Sequence, residues 1–257
     1  MSADDGTLTA RLRAAGCVFA EEEAARLLAA APDAAALEAM VVRRVAGTPL
    51  EHVLGVADFA GVRLEIADGV FVPRHRTELL TMTARALIRN GATVLDLCCG
   101  TGALGLVVVR GVPGARLVAA DIDPVAVGCA RRNLAGVTAE VFAGDLFEPL
   151  PAGLRGRVDI LLANVPYVPT AEIAFLPEEF RVHEARAALD GGADGLDVLR
   201  RVAAGAPAWL APGGALLCEA GDAQLEAAHA ALRAAGLHPA TVTDEETETH
   251  VVVGRLR

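Results

Sequence analysis

"TVLDLCCGTGALGL" occupies residues 93–106. Thr93–Leu97 is a short apolar run with a β-branched start, the pattern of a buried strand. Gly100 and Gly102 let the backbone turn tightly, and the apolar "ALGLVVV" then returns to helix. Strand, glycine turn and helix in that order set unpaired helix N–H groups beside the strand end, a place where polar ligand groups bind.

The pattern repeats downstream. "RLVAAD", "AEVFAG", "VDILLAN", "GALLCEA" and the terminal "THVVVGR" read as further strands. Between them "PVAVGCARRNLAG", "GLDVLRRVAAGAPAWL" and "DAQLEAAHAALRAAG" read as helices. Near-continuous apolar strands alternating with helices predict a mainly parallel sheet covered on both faces, an α/β fold of Rossmann-like design. Ligands in such sheets sit outside the carboxyl ends of the strands, so Asp96, Asp121, Asp145 and Asn164 are the polar residues to follow. Residues 168–194 form the longest stretch without a clear pattern, long enough to serve as a lid or a substrate wall.

Upstream the chain reads differently. "TARLRAAG", "EEEAARLLAAA" and "DAAALEAMVVRRVAG" are helices in a small bundle, and "TPLEHVLGVADFAGVRLEIADGVFVPR" shifts to short β-rich runs broken by glycines. A helix over "RTELLTMTARALIRNG" leads into the sheet. The expected division is a helical substrate-recognition domain over 1–48, a β-hairpin connector over 49–72 and a nucleotide-binding sheet domain over 73–257.

Composition limits the function classes. The chain has 257 residues, 53% of them hydrophobic, and its 23 basic residues are all arginine. A net charge of −10 argues against general affinity for nucleic acid. Five cysteines, two of them adjacent and without CxxC or Cys/His spacing, suggest neither zinc nor a disulfide framework. No metal is expected. Without a signal-peptide core or a membrane-length apolar run, the expected location is the cytoplasm, free of membrane.

Gly100, Gly102 and Gly105 satisfy GxGxxG, which by itself also fits a dinucleotide. Two features favour S-adenosylmethionine. Asp96 lies inside the first strand end, placed to hold loop amides or a cofactor amino group, and "GDLFEP" (144–149) follows the third strand. The expected cofactor contacts are Asp96, Cys98, Cys99, Gly100, Thr101 and Gly102 from the loop, with Asp121 and Ile122 after the second strand. Asp121 would accept from the ribose hydroxyls, and Asp145 from the adenine amino group beside Leu146. A dehydrogenase would also need a proton-handling side chain by its substrate, yet lysine is absent and Tyr167 is the only tyrosine.

"ANVPY" (163–167) closes the fourth strand of this series. The Asn164 side-chain oxygen and the Val165 carbonyl can together accept both N–H bonds of a planar –NH2 group. Such a nitrogen has a delocalised lone pair, so acceptors that hold and aim it supply much of the rate. Pro166 keeps residue 165 extended, and Tyr167 offers a ring face to a flat group. Asn164 and Tyr167 are therefore the expected catalytic pair, and Asn164, Val165, Pro166 and Tyr167 the expected substrate contacts, with Asn164 also touching the cofactor. An amide of a protein, an exocyclic amine of a nucleic-acid base and an amine of a small metabolite all suit this geometry.

The ordered set "FVPRHRTELL", "DLCCGTGALGL", "ADIDPVAVGCARRN", "GDLFEPLP", "NVPY" and "ALDGGADGLDVLRRV" resembles the HemK/PrmC-type protein-(glutamine-N5) methyltransferases. That resemblance implies a small helical domain, a β-hairpin and a methyltransferase domain. It implies methyl transfer from S-adenosylmethionine to a glutamine side chain, best known on the Gly-Gly-Gln loop of peptide-chain release factors. The implied partner is thus a protein substrate, with no direct nucleic-acid contact. The chain departs from the usual family pattern at three places in its motifs, and its helical domain is short. Val165 stands for the first proline of Asn-Pro-Pro-Tyr, Cys98 for a common glycine, and Glu184-Ala185 for Glu-Pro.

Overall fold

The structure is a computed structural model that describes residues 3–257, with side chains from Gly6 onward. The first two residues of the acidic N-terminal stretch lie outside the described residues. Helices α1 (Ala3–Ala14), α2 (Ala20–Ala30), α3 (Ala34–Val45) and α4 (Leu50–Leu54) form the N-terminal bundle. Asp33 caps α3, its carboxylate accepting from the Ala36 amide at 2.8 Å. Leu12, Leu27, Val41, Leu50 and Val53 pack into one small core, so α4 joins the bundle although the sequence reads that stretch as β-rich.

Strands β1 (Val56–Phe59) and β2 (Val62–Glu65) make the expected antiparallel hairpin. The main sheet holds β3 (Thr93–Leu97), β4 (Arg116–Asp121), β5 (Ala139–Ala143), β6 (Val158–Ala163), β7 (Leu210–Glu219), β8 (His238–Asp244) and β9 (Thr249–Arg255). Their order is β5-β4-β3-β6-β7-β9-β8, parallel through β7 and antiparallel at β9 and β8. Strand β8 has no counterpart in the sequence reading, since its edge position leaves a half-exposed, polar run without apolar periodicity.

Helices α5 (Glu78–Leu87), α6 (Ala103–Val109) and α7 (Pro124–Asn133) lie where the sequence predicts helix, α6 directly after the glycine-rich turn. The 168–194 stretch contains two short helices, α8 (Glu178–His183) and α9 (Arg186–Leu189), and is followed by α10 (Asp197–Gly205) and α11 (Leu225–Ala234).

Side-chain alternation divides the core between the two sheet faces. Val94, Leu117, Ala119, Ile160, Leu162, Ala215 and Leu217 pack on the α5–α6 side. Leu95, Leu97, Val118, Ala120, Leu161, Ala163, Leu216 and Cys218 pack on the α10–α11 side. Because side chains repeat every second residue, Asp96, Asp121, Asn164 and Glu219 follow the first set. Four polar residues at the carboxyl ends of four neighbouring strands thus fall on one face. Among the described residues, no helix is long and apolar enough to cross a membrane.

Candidate active site

The chain order reverses at β3, with β4 on one side and β6 on the other, and a cavity opens there. Its floor is Asp96 and the loop Cys98–Thr101, and its sides are Asp121–Asp123 and Asn164–Tyr167. Gly69–Phe71 and Pro73 form one further wall, and Ala185, Ala187 and Ala188 form another.

Asp96 is fully buried, and its carboxylate accepts from the Gly105 amide at 2.9 Å. Asp96 thus holds an amide in the first turn of α6, just beyond the loop. Gly105 permits that approach, because a Cβ there would lie 2.7 Å from Leu117 and 3.0 Å from the Asp96 carboxylate. Burial raises the Asp96 pKa to about 7, opposed by the Gly105 amide and reinforced by nearby Asp121.

Asp121 is tied down by two amides, Gly100 at 2.8 Å and Asp123 at 2.9 Å. Burial raises its pKa, and these amides pull it back. Two amides leave lone pairs on the carboxylate facing the cavity, which suits vicinal hydroxyls. Gly100 and Gly102 adopt the positive φ that the turn requires, and so does Cys98 at +55°. Glycine adopts that conformation more readily than cysteine. The thiols of Cys98 and Cys99 are pushed well above their usual range by burial and the surrounding carboxylates.

Asn164 Oδ1 is buried without a hydrogen-bond partner, as is the Thr101 hydroxyl. A buried unsatisfied acceptor is costly, so an Oδ1 in the cavity wall marks where a donor group belongs. The Val165 side chain continues the alternation into the opposite core with Leu97 and Ala163, leaving its backbone to face the site. Arg76 donates to the Tyr167 hydroxyl and lies 5.6 Å from its ring centroid.

Three expected contacts lie outside this cavity lining. Gly102 caps α6. Leu146 turns into the α10–α11 core, and Asp145 pairs with Arg201 of α10 at 2.6 Å. The turn after β5 carries both toward that other face, although Asp145 remains close enough to Cys98 to raise its pKa.

Sequence reasoning did not single out the groups that hold residues 166–168 in place. The Val168 amide donates to Leu189, the Gly191 amide to Val168, and Gln224 Nε2 to the Tyr167 carbonyl at 2.9 Å. A Cβ on Gly191 would sit 2.7 Å from the Pro166 carbonyl, and one on Gly195 would run into that of Tyr167. The only signal was the glycine pair within "ALDGGADGLD". Glu184, also without an assigned role, ties the 168–194 stretch to residues 69–74 across the site. Its buried carboxylate binds Arg74 at 2.6 Å and the Val72 amide at 3.2 Å, and the Ala185 amide donates to Gly69. Burial raises the Glu184 pKa, with Arg74 opposing. Arg74 itself is sandwiched by Phe71 and Phe180 at 4.8 and 3.9 Å. Among the described residues, no cluster of three His, Cys, Asp or Glu could hold a metal ion.

A family model described as the methyltransferase small domain matches residues 67–194. Release factor glutamine methyltransferase of Cereibacter sphaeroides is 38% identical over 269 residues, covering 96% of this chain and 95% of that protein. Its counterpart in Geobacter sulfurreducens is 39% identical over 194 residues, covering 75% and 67%. The chain belongs to the release factor glutamine methyltransferase family. It is a methyltransferase, and S-adenosylmethionine is its methyl donor. Another relative, 4-amino-L-phenylalanine/4-methylamino-L-phenylalanine methyltransferase of Streptomyces pristinaespiralis, is 39% identical, covering 76% of this chain and 69% of its own. The fold matches a methyltransferase from Pyrococcus furiosus at a TM-score of 0.55 and 16% identity, covering 75% and 88% of the two chains.

The residues present fit that cofactor. Asp121, anchored by amides, suits its ribose; the open turn at Gly100 admits its chain; and Asp96 keeps the turn in place. When bound, the sulfonium supplies an electrophilic methyl group, so the protein needs no strong base.

Proposed function

We propose that this enzyme methylates the side-chain amide nitrogen of a protein glutamine, with the Gly-Gly-Gln loop of a peptide-chain release factor as the target. The observation that carries the reading is the unpartnered Asn164 Oδ1, buried in the wall of the cavity that Asp96 and Asp121 shape. Asn164 Oδ1 and the Val165 carbonyl accept the two amide N–H bonds, and Tyr167 lies against the flat group. Holding the –NH2 by both hydrogens favours positive charge on nitrogen as the new N–C bond forms. Asp121 holds the ribose, and Asp145, exchanging Arg201 for the adenine amino group, completes the cofactor contacts. The enzyme acts in the cytoplasm, where release factors work.

The Streptomyces pristinaespiralis relative, named for an aromatic amine of an amino acid, supports a second reading with the same geometry. One experiment addresses both. The enzyme is incubated with labelled S-adenosylmethionine and either host release factors or 4-amino-L-phenylalanine. Mass mapping that puts one methyl group on the Gly-Gly-Gln glutamine supports the proposal. Label on the free amino acid alone would replace it with the second reading.

A further inference from the structure

The row of polar residues on the active face does not end at Asn164. Ala163 of β6 is in register with Cys218 of β7, so one residue further on Asn164 stands beside Glu219. Neighbouring strands are about 4.8 Å apart, so these two groups stand within reach of a single ligand. Glu219 is 7% exposed, and its Oε1 has no hydrogen-bond partner. It lines a second cavity with Arg76, Gly221, Thr249 and His250. Tyr167 lines both cavities and forms the partition between them.

Carboxylate and guanidinium in this hollow have opposite recognition chemistry. Glu219 accepts from N–H or ammonium groups, whereas Arg76 donates to carbonyl or carboxylate oxygens. Arg76 spends one donor on the Tyr167 hydroxyl and has others free for a ligand. Burial raises the Glu219 pKa, and the nearby Thr77 hydroxyl and Arg76 oppose that rise. An amino-acid main chain presents the complementary pair, a nitrogen donor and a carbonyl or carboxylate on one carbon. In extended glutamine, bonds of about 1.5 Å put the main-chain nitrogen roughly 6 Å from the amide nitrogen, somewhat beyond the strand spacing of about 4.8 Å and within the reach of the two side chains.

We propose that the Arg76–Glu219 hollow binds the main-chain polar groups of the acceptor amino acid, while its side-chain nitrogen lies at Asn164. Glu219 takes the main-chain N–H or ammonium, and Arg76 takes the carbonyl or carboxylate. This rests on the assignment of Asn164 to the acceptor nitrogen, and it applies to an amino acid within a peptide or free in solution. The hollow thus sets which amines reach the methyl group, and the acceptor must be an amino acid.

The test compares acceptors with and without main-chain groups. A Gly-Gly-Gln peptide is paired with propionamide, and 4-amino-L-phenylalanine with 4-methylaniline. Each is assayed with wild type, Arg76→Ala and Glu219→Gln, and affinity for the demethylated cofactor is measured alongside. Arg76 is exposed, so its replacement leaves the fold intact even if Glu219→Gln does not. The expected result is a loss of at least tenfold in kcat/KM on the active full acceptor, carried mainly by KM. The matching stripped acceptor should change less than twofold, and so should cofactor affinity. Equal losses on full and stripped acceptors, or no loss with Arg76→Ala, would overturn the proposal. Failure of wild type on the peptide with turnover of 4-amino-L-phenylalanine would refute the glutamine reading alone, and the aromatic pair would then decide this one.

Discussion

Replacing Asp96 with asparagine tests the loop geometry through its electrostatics. Asn keeps the shape and an oxygen for the Gly105 amide, now 2.9 Å from the carboxylate, but removes the ionisable group. Burial raises the Asp96 pKa from 3.8 to about 7 in the folded protein. A carboxylate with a raised folded pKa binds its proton more tightly when folded. Its contribution to stability is therefore complete below pH 3.8 and lost as pH rises to about 7. That interval of about three pH units, at about 1.4 kcal/mol each, gives about 4 kcal/mol. Asp96→Asn should thus gain about 4 kcal/mol relative to wild type between pH 4 and pH 8. Urea denaturation of both proteins across that range measures it, and taking their difference removes the titrations that are not coupled to Asp96. A difference that stays flat with pH, or that favours wild type at pH 8, would refute the buried, amide-bound account of Asp96.

Other substitutions probe the remaining parts. Gly191→Ala should cost about 2–3 kcal/mol of stability, because its Cβ would meet the Pro166 carbonyl and backbone cannot step aside; a melting temperature equal to wild type would contradict this. Cys98→Gly should raise stability by up to about 1 kcal/mol by relieving a positive φ, read as a higher melting temperature with cofactor affinity preserved. Val165→Pro should keep transfer within about threefold, since the Val165 side chain sits in the core and its carbonyl is the proposed acceptor, whereas Pro166→Ala should weaken transfer more. The reverse ranking in kcat would show that residue 165 acts through its side chain. Arg201→Ala should change cofactor affinity less than about fivefold, because its ion pair with Asp145 is half exposed and worth under about 1 kcal/mol.

What was legible in the sequence followed local periodicity. The alternation that marks Thr93–Leu97, Arg116–Asp121 and Val158–Ala163 as strands also carries Asp96, Asp121 and Asn164 to one face. The glycines between strand and helix show where that face opens. What was hidden depends on contacts between distant parts of the chain. Glu184 meets Arg74 across 110 positions, and Gln224 reaches the Tyr167 carbonyl across 57. Neither leaves a local pattern, so the 168–194 stretch reads as irregular although it is clamped at both ends. Asp145 has the right spacing after β5, but its partner Arg201 lies on α10, beyond the reach of any spacing rule. Glu219 was passed over for a related reason. As the last residue of an apolar strand, it gains meaning only once β6 and β7 are known to pair in register.

The claim at the centre of this account is that Asn164 holds the acceptor nitrogen. The measurement that addresses it most directly is the turnover of Asn164→Ala on the methyl-accepting substrate at saturating cofactor. Turnover should fall by about 100-fold or more, the size expected when a preorganised polar group is removed from a reacting centre. Affinity for the demethylated cofactor should stay within a few fold, because Asp121 and the Gly100 turn remain. Near-wild-type turnover in this variant would contradict the two-acceptor mechanism.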